Sequence, residues 1–320
     1  MRLSFVARRL TQVVPVLFGV SVVTWGLTSL APGDSAEIYA RQYAENGRPT
    51  VEEIARARQS LHLDGSRPEQ YLHWLGRAVR GDLGHSFSSG RLVTHEIGAR
   101  LPATLQLAFA AIVFVVAFGI TFGVAAALSH RRLGDTVLRF AAVGGGAVPS
   151  FWLALLLIWL FAAHWHLLPS FGRGDGAINT HLVLPVVSLD LVHVGAVARL
   201  TRSTMVDALN QEYVRGARAR GLREHRVIVA HALRNALLPV VTQAGLTFGG
   251  MLGGAAVVET IFAWPGIGKL ATDSIAAKDY PLLQGTVLVA ALAYLLVGLA
   301  LDLLYGRLDP RISRRAGQAE

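Results

Sequence analysis

The chain is read as an all-helical integral membrane protein with six membrane-crossing helices, and three observations lead there. Of its 320 residues 52% are hydrophobic and only 16% charged, whereas a soluble domain carries about a quarter charged residues. Uncharged or nearly uncharged apolar runs recur along it, each long enough to cross a hydrocarbon core of about 30 Å. Eighteen of its 30 Lys and Arg fall in four stretches that alternate with those runs.

The runs are Leu10 to Ala31, Pro102 to Ser129, Thr136 to Ala163, Leu182 to Met205, Leu238 to Phe262 and Leu282 to Tyr305. The basic stretches are 1–9, 130–139, 199–237 and 307–320, while the short loops 163–180 and 263–281 hold only Arg173, Lys269 and Lys278. Positive loops stay on the cytoplasmic side, so both termini are expected there, in a multi-pass membrane protein bounded by lipid. The net charge of +9 is then a topology signal, and neither nucleic acid nor an acidic substrate is needed to explain it.

The first run follows Arg8 and Arg9 and is far longer than the core of a cleaved leader, so residues 1–31 are read as a cytoplasmic tail and a retained first helix. Residues 32–101 balance nine basic against nine acidic side chains and form a small extracytoplasmic subdomain with its own helix signals. Thr50 with Glu53 and Ser66 with Glu69 make capping boxes, the second with Pro68 in its first turn. Tyr71, Leu72, Leu75 and Val79 then form an apolar stripe. His85 and His95 are polar loop residues without the spacing of metal ligands, and no metal site is expected.

Residues 102–306 make the membrane core and 307–320 a cytoplasmic tail. In the second run Gly119 and Gly123 share a face suited to close helix contact. Gly144, Gly145, Gly146 and Pro149 predict a kinked or locally unwound third helix. The fourth carries Asp190 and His193, three apart on one face, where an ionisable group must be paired or wetted. A mutual hydrogen bond is the minimal explanation, and a place on the translocation path is the alternative. Gly245, Gly249 and Gly253 recur every four residues in the fifth run, an edge for a neighbouring helix, internal or from a partner subunit. Past it, Trp264 reads as an interface aromatic and Pro265-Gly266 as a turn. Glu259 near the outer end either meets substrate or caps structure.

The stretch Glu212 to Pro239, EYVRGARARGLREHRVIVAHALRNALLP, interrupts two apolar runs with closely spaced arginines. Its apolar positions recur as on a short helix lying at the membrane surface. Gly221 stands where that helix needs a left-handed residue, and Leu222 follows to pack back on the last turn. A second helix is expected at once, with Val229, Ala230, Leu233 and Leu237 on one face, running into Pro239.

ARARGL and HALRNALLP in this stretch resemble the cytoplasmic loop of binding-protein-dependent ABC importer permeases. The form EYVRxARAxGL is similar to the dipeptide, oligopeptide and nickel subgroup, as are LGRAVRGDLGHSF, LPATL, VVETIFAWPGIGKL, AAKDYPLLQG and LDLLYGRLDPRIS. Arg215 stands where the broader family has Glu. The resemblance implies the type I importer fold and the first of two permease subunits in a heterodimer. It also implies two ATP-binding subunits and an extracytoplasmic solute-binding protein as partners. Glu212, Tyr213, Arg215, Ala217, Arg218, Gly221 and Leu222, within the loop 212–237, would then dock into an ATPase subunit, with Ala217 and Gly221 in a tight socket. ATP and Mg would be bound by those partners and no cofactor by this chain. Peptides are the implied cargo, with nickel chelate, haem or another solute as alternatives.

No phosphate-cradling Gly-x-x-x-x-Gly-Lys-Ser/Thr loop or hydrolase motif occurs, and there is no cysteine for thiolate chemistry. A non-catalytic transport subunit is the reading, with an ATP-independent channel or secondary transporter as its rival.

Overall fold

The computed structural model describes residues 3–44, 47–129, 148–174 and 179–308. Among these every regular element is a helix, and His85 opposite Leu92 is an isolated bridge. Five helical stretches are long and apolar enough to cross a membrane: Thr11–Leu30, Val93–Leu128, Thr180–Leu209, Glu224–Leu252 and Tyr280–Leu301. The expected third crossing begins outside the described residues, as do Gly144, Gly145 and Gly146, and its described part is the apolar helix Ser150–His164. Pro149 stands at the N-cap of that helix, with extended backbone, and not inside it. The chain divides into two compact units, Met1–Thr104 with Pro265–Glu320, and Leu105–Trp264.

In the first unit α1 (Leu3–Leu30) packs along α13 (Tyr280–Leu308). Between them in sequence come α2 (Ser35–Tyr43), α3 (Val51–Ser60) and α4 (Arg67–Ala78). Both expected capping boxes are formed: Glu53 accepts from the Thr50 N–H at 2.7 Å and Glu69 from the Ser66 N–H at 2.8 Å. The stripe on α4 differs from expectation, because Leu72 and Val79 are 63% and 79% exposed. Tyr71 and Trp74 turn inward instead, and the Tyr71 ring meets Trp25 and Phe18 of α1 edge-on while its hydroxyl bonds Ser21. Aromatic area outweighs the aliphatic stripe and sets the rotation of the helix.

The first turns of α5 (Val93–Leu128) pack Val93 and Ile97 against Ile267 and Leu270 of α12 (Ile267–Ala276) and Leu282 of α13. This helix starts nine residues before the expected opening at Pro102, which lies inside it. Its 36 residues span about 54 Å, more than a bilayer core requires. Gly285 admits the contact between α13 and α5, since a Cβ there would sit 2.5 Å from Val93 Cγ1.

In the second unit Gly119 and Gly123 of α5 lie against α7 (Val183–Leu209), where added Cβ atoms would approach Val197 and Thr201 to 2.6 and 2.5 Å. α6 (Ser150–Leu157), continued by a π-helical turn Ile158–His164, also packs on α7. α8 (Glu212–Ala219) is followed by α9 (Glu224–Arg226), which runs through a π-helical turn, Val227–Leu233, into α10 (Arg234–Gly254). Pro239 sits within α10, so the expected second loop helix and the fifth crossing are one continuous rod. The rod breaks at Ala255 before α11 (Ala256–Ile261). Trp264 is fully buried, which corrects its reading as an interface aromatic.

Candidate functional site

α8 exists because an apolar pair one turn apart, Val214 and Ala217, can be buried while every charged residue stays out. Both are 0% exposed, and they share a core with Ala127, Met205, Ala208, Val227, Ala232 and Ala236. The helix ends in a Schellman turn: Leu222 N–H donates to Ala217 O at 3.4 Å and Gly221 N–H to Arg218 O at 2.9 Å. Gly221 has φ +76° and Leu222 packs back on the same core, as the sequence predicts.

One expectation about this loop is corrected. Ala217 does not face a socket outside the chain, because its methyl is enclosed by the chain's own core. Gly221 has nothing of this chain's described residues within 4 Å of an added Cβ, so within the chain its backbone angle is what demands glycine. The face expected on the second helix also differs: Val229 and Ala230 are exposed, while Val227, Ala232, Ala236 and Val240 are buried. A π turn holds an extra residue, which rotates everything before it relative to a 3.6-residue register.

The outward side of α8 carries Glu212, Tyr213, Arg215, Gly216, Arg218, Ala219 and Arg220. Arg218 reaches across the turn to Glu224, Nη2 to Oε1 at 2.6 Å, with Nε donating to the other oxygen at 3.1 Å. Sequence reasoning missed this brace because six residues with a left-handed turn between them match no helical spacing.

Asp190 and His193 do not bond one another. His193 Nδ1 lies 3.2 Å from Leu189 O, and both carboxylate oxygens of Asp190 are buried with no hydrogen-bond partner among the described residues. The three-residue spacing puts them on one face, but the histidine ring turns back toward the preceding turn, where side chains on a helix point. Glu259 is also fully buried, and its carbonyl receives the Trp264 N–H at 2.8 Å. Gly245 and Gly249 are buried within the chain on α10, which packs along α7, so the close contact there is internal. Gly253 lies on the same helix.

A third carboxylate of consequence lies in the first unit, and the sequence reading passed over it. Asp279 is 0% exposed and accepts from the hydroxyls of Ser86 and Ser88 at 2.5 and 2.7 Å, from Ser88 N–H at 3.0 Å and from Leu282 N–H at 3.2 Å. It ties the 86–88 loop to the start of α13. Only the fold brings residues 193 positions apart together, so no local pattern could have signalled it.

Long apolar helices joined by a braced basic surface helix define a membrane-embedded transport subunit. Residues 119–314 match the family described as the binding-protein-dependent transport system inner membrane component, and residues 2–108 match its N-terminal membrane-component family. The di/tripeptide transport system permease of Pseudomonas aeruginosa is 39% identical over 97% of this chain and 98% of its own length. The dipeptide transport system permease of Escherichia coli K12 is 38% identical over 98% and 99%. The glutathione transport system permease of the same strain is 39% identical over 97% and 99%. The chain therefore belongs to the permease family of binding-protein-dependent ABC importers. Its fold is that of the type I importers, as a likeness to the inward-facing MetNI methionine ABC transporter shows: TM-score 0.56 at 15% identity, over 67% of this chain and 96% of that one.

Proposed function

We propose that this permease moves short peptides across the inner membrane, with both termini cytoplasmic. A solute-binding protein would deliver the peptide and two ATP-binding subunits, which carry ATP and Mg, would drive the step. The peptide cargo is supported by relatives named for dipeptides, di/tripeptides and glutathione. The coupling role is carried by one observation: α8 is seated by Val214 and Ala217 and shows its charged side outward. Glu212, Tyr213, Arg215 and Arg218 form the proposed docking face, and Ala217, Gly221 and Leu222 hold it at its angle. A push on α8 is then passed through Val227 and the π turn to α10, which is continuous with it.

Asp190, His193 and Glu259 remain proposed path residues on narrower ground. Asp190 and Glu259 are closed off in this arrangement, so they would meet solute only after the helices part. The test is co-purification: the assembled complex should contain the ATPase subunits and hydrolyse ATP in response to loaded binding protein. Arg215→Glu with Arg218→Glu should release those subunits at unchanged membrane level. Peptide uptake that persists without any ATPase subunit would instead favour a channel or secondary transporter.

A further inference from the structure

A cavity of about 280 Å³ lies wholly within the first unit, outside the coupling surface. Its walls come from the last turns of α1, from α2, from the link between α3 and α4, from α4 itself and from the first turn of α13. Among the described residues no aspartate or glutamate lines it, whereas Arg77, His62, His73 and His85 do. The wall thus carries one guanidinium, three imidazoles and several hydroxyl and amide groups, with no carboxylate among the described residues.

Two residues on this wall, Trp74 and Arg77, each carry a buried side-chain nitrogen. Trp74 Nε1 and Arg77 Nε are buried with no hydrogen-bond partner of good geometry among the described residues. Arg77 Nε lies 3.0 Å from an Asp82 carboxylate oxygen, an ion pair by distance, but it is not aligned for a hydrogen bond. Each buried donor left unmade costs about 1–3 kcal/mol. The histidines are held rather than loose: the His62 and His73 rings stack at 4.2 Å and 18°. His62 reaches that position with φ +54°, a left-handed backbone that a non-glycine residue adopts at a cost of about 1–2 kcal/mol. No trio of His, Asp or Glu among the described residues is placed to ligate a metal ion.

We propose that this cavity is an oxyanion site: it takes a phosphate or carboxylate group, whose oxygens accept hydrogen bonds from Arg77 and from the imidazole N–H groups. The group has two possible sources. Trp25, Thr28 and Ser29 bring the cavity to the end of the membrane-crossing part of α1, within reach of a phospholipid headgroup. A small free anion carries the same chemistry.

Thermal unfolding of the full-length chain in its purified complex tests this, with inorganic phosphate, phosphatidylglycerol or zwitterionic phosphatidylcholine added in turn. A ligand that binds only the folded state raises the midpoint in proportion to the logarithm of its occupancy. Stabilisation by phosphate identifies a free-anion site, and stabilisation by phosphatidylglycerol, without phosphate or phosphatidylcholine acting, identifies a headgroup site. Arg77→Gln should weaken the response about tenfold in apparent affinity, the usual scale for one charge-assisted hydrogen bond. Asp82→Asn should preserve or strengthen it, since the guanidinium is then released from its ion pair. A purely structural Arg77–Asp82 pair predicts equal losses in both variants, and that result overturns the proposal. So does the absence of stabilisation in the unsubstituted chain, or the same stabilisation in Arg77→Gln. If Arg77→Gln fails to assemble, His73→Phe keeps the stacked ring and removes its N–H groups, and an undiminished response in that variant counts equally against the site.

Discussion

At Gly221 and Ala217 the same smallness has two different causes, and substitutions separate them. Gly221→Ala has open space but must keep φ +76°, so it should cost about 1–2 kcal/mol locally and fray the end of α8. Ala217→Leu forces a larger side chain into a closed core and should cost about 1–3 kcal/mol, lifting the helix off its seat. Limited proteolysis at the 219–223 turn should rise in both, while only Ala217→Leu should disturb the packing of Val227, read by cysteine accessibility there. The turn at Gly221 was legible in the sequence because a left-handed residue has a local signature. The destination of Ala217 was not, since an internal core and an external socket both select a small side chain. Asp190 was half legible in the same way: its depth and cost followed from position, but its lack of a partner among the described residues follows from where the His193 ring turns. An unpartnered buried carboxylate costs several kcal/mol to keep ionised, more than a neutral amide of the same shape. Asp190→Asn should therefore leave the midpoint of thermal unfolding unchanged or raise it, and a fall in that midpoint would indicate a partner supplied on assembly.

Among the elements, those with complete local signals were read correctly and those with a non-standard period were not. The capping boxes of α3 and α4 were visible as Thr50 with Glu53 and Ser66 with Glu69, because both partners lie within four residues. The π turn at Val227–Leu233 has no such code, and assuming 3.6 residues per turn assigned Val229 and Ala230 to the wrong side. The capping boxes also carry a pH signature. Hydrogen bonds donated by the Thr50 and Ser66 backbones, then by their side chains, hold Glu53 and Glu69 below the ordinary carboxylate range. A depressed folded-state pKa adds stability that is present above the unfolded value and is lost as pH falls through the folded one. Amide exchange in the first turns of α3 and α4 should therefore quicken as pH drops through that range, after correction for intrinsic rates. Glu53→Gln can keep the capping contact without a titrating group, so it should flatten the dependence at α3 and leave α4 unchanged.

For the whole molecule, the membrane class and the family were legible because hydropathy and local motifs carry them, whereas the faces used between subunits were not. The recurrence of Gly245 and Gly249 gave the right physical property, close approach, with the partner undetermined, and their burial assigns the contact to this chain. The same helix has a second side, on which Leu238 is 45% and Leu246 57% exposed and Gly250 has nothing among the described residues within 4 Å of an added Cβ. Lipid covers such a side without strain, and so does another apolar helix, since tails and leucine are equally apolar and only packing detail distinguishes them. Gly250 favours a helix, because an open notch beside Leu246 allows close approach that a flexible acyl chain does not require. We therefore expect this side to meet the partner permease. The chain has no cysteine, so single cysteines report without background. Leu246→Cys and Gly250→Cys should each cross-link to a cysteine on the partner permease in the assembled complex, whereas Gly245→Cys and Gly249→Cys should not. Linking from the buried pair alone would mean that α10 rotates on assembly, and linking from neither pair would leave this side to lipid.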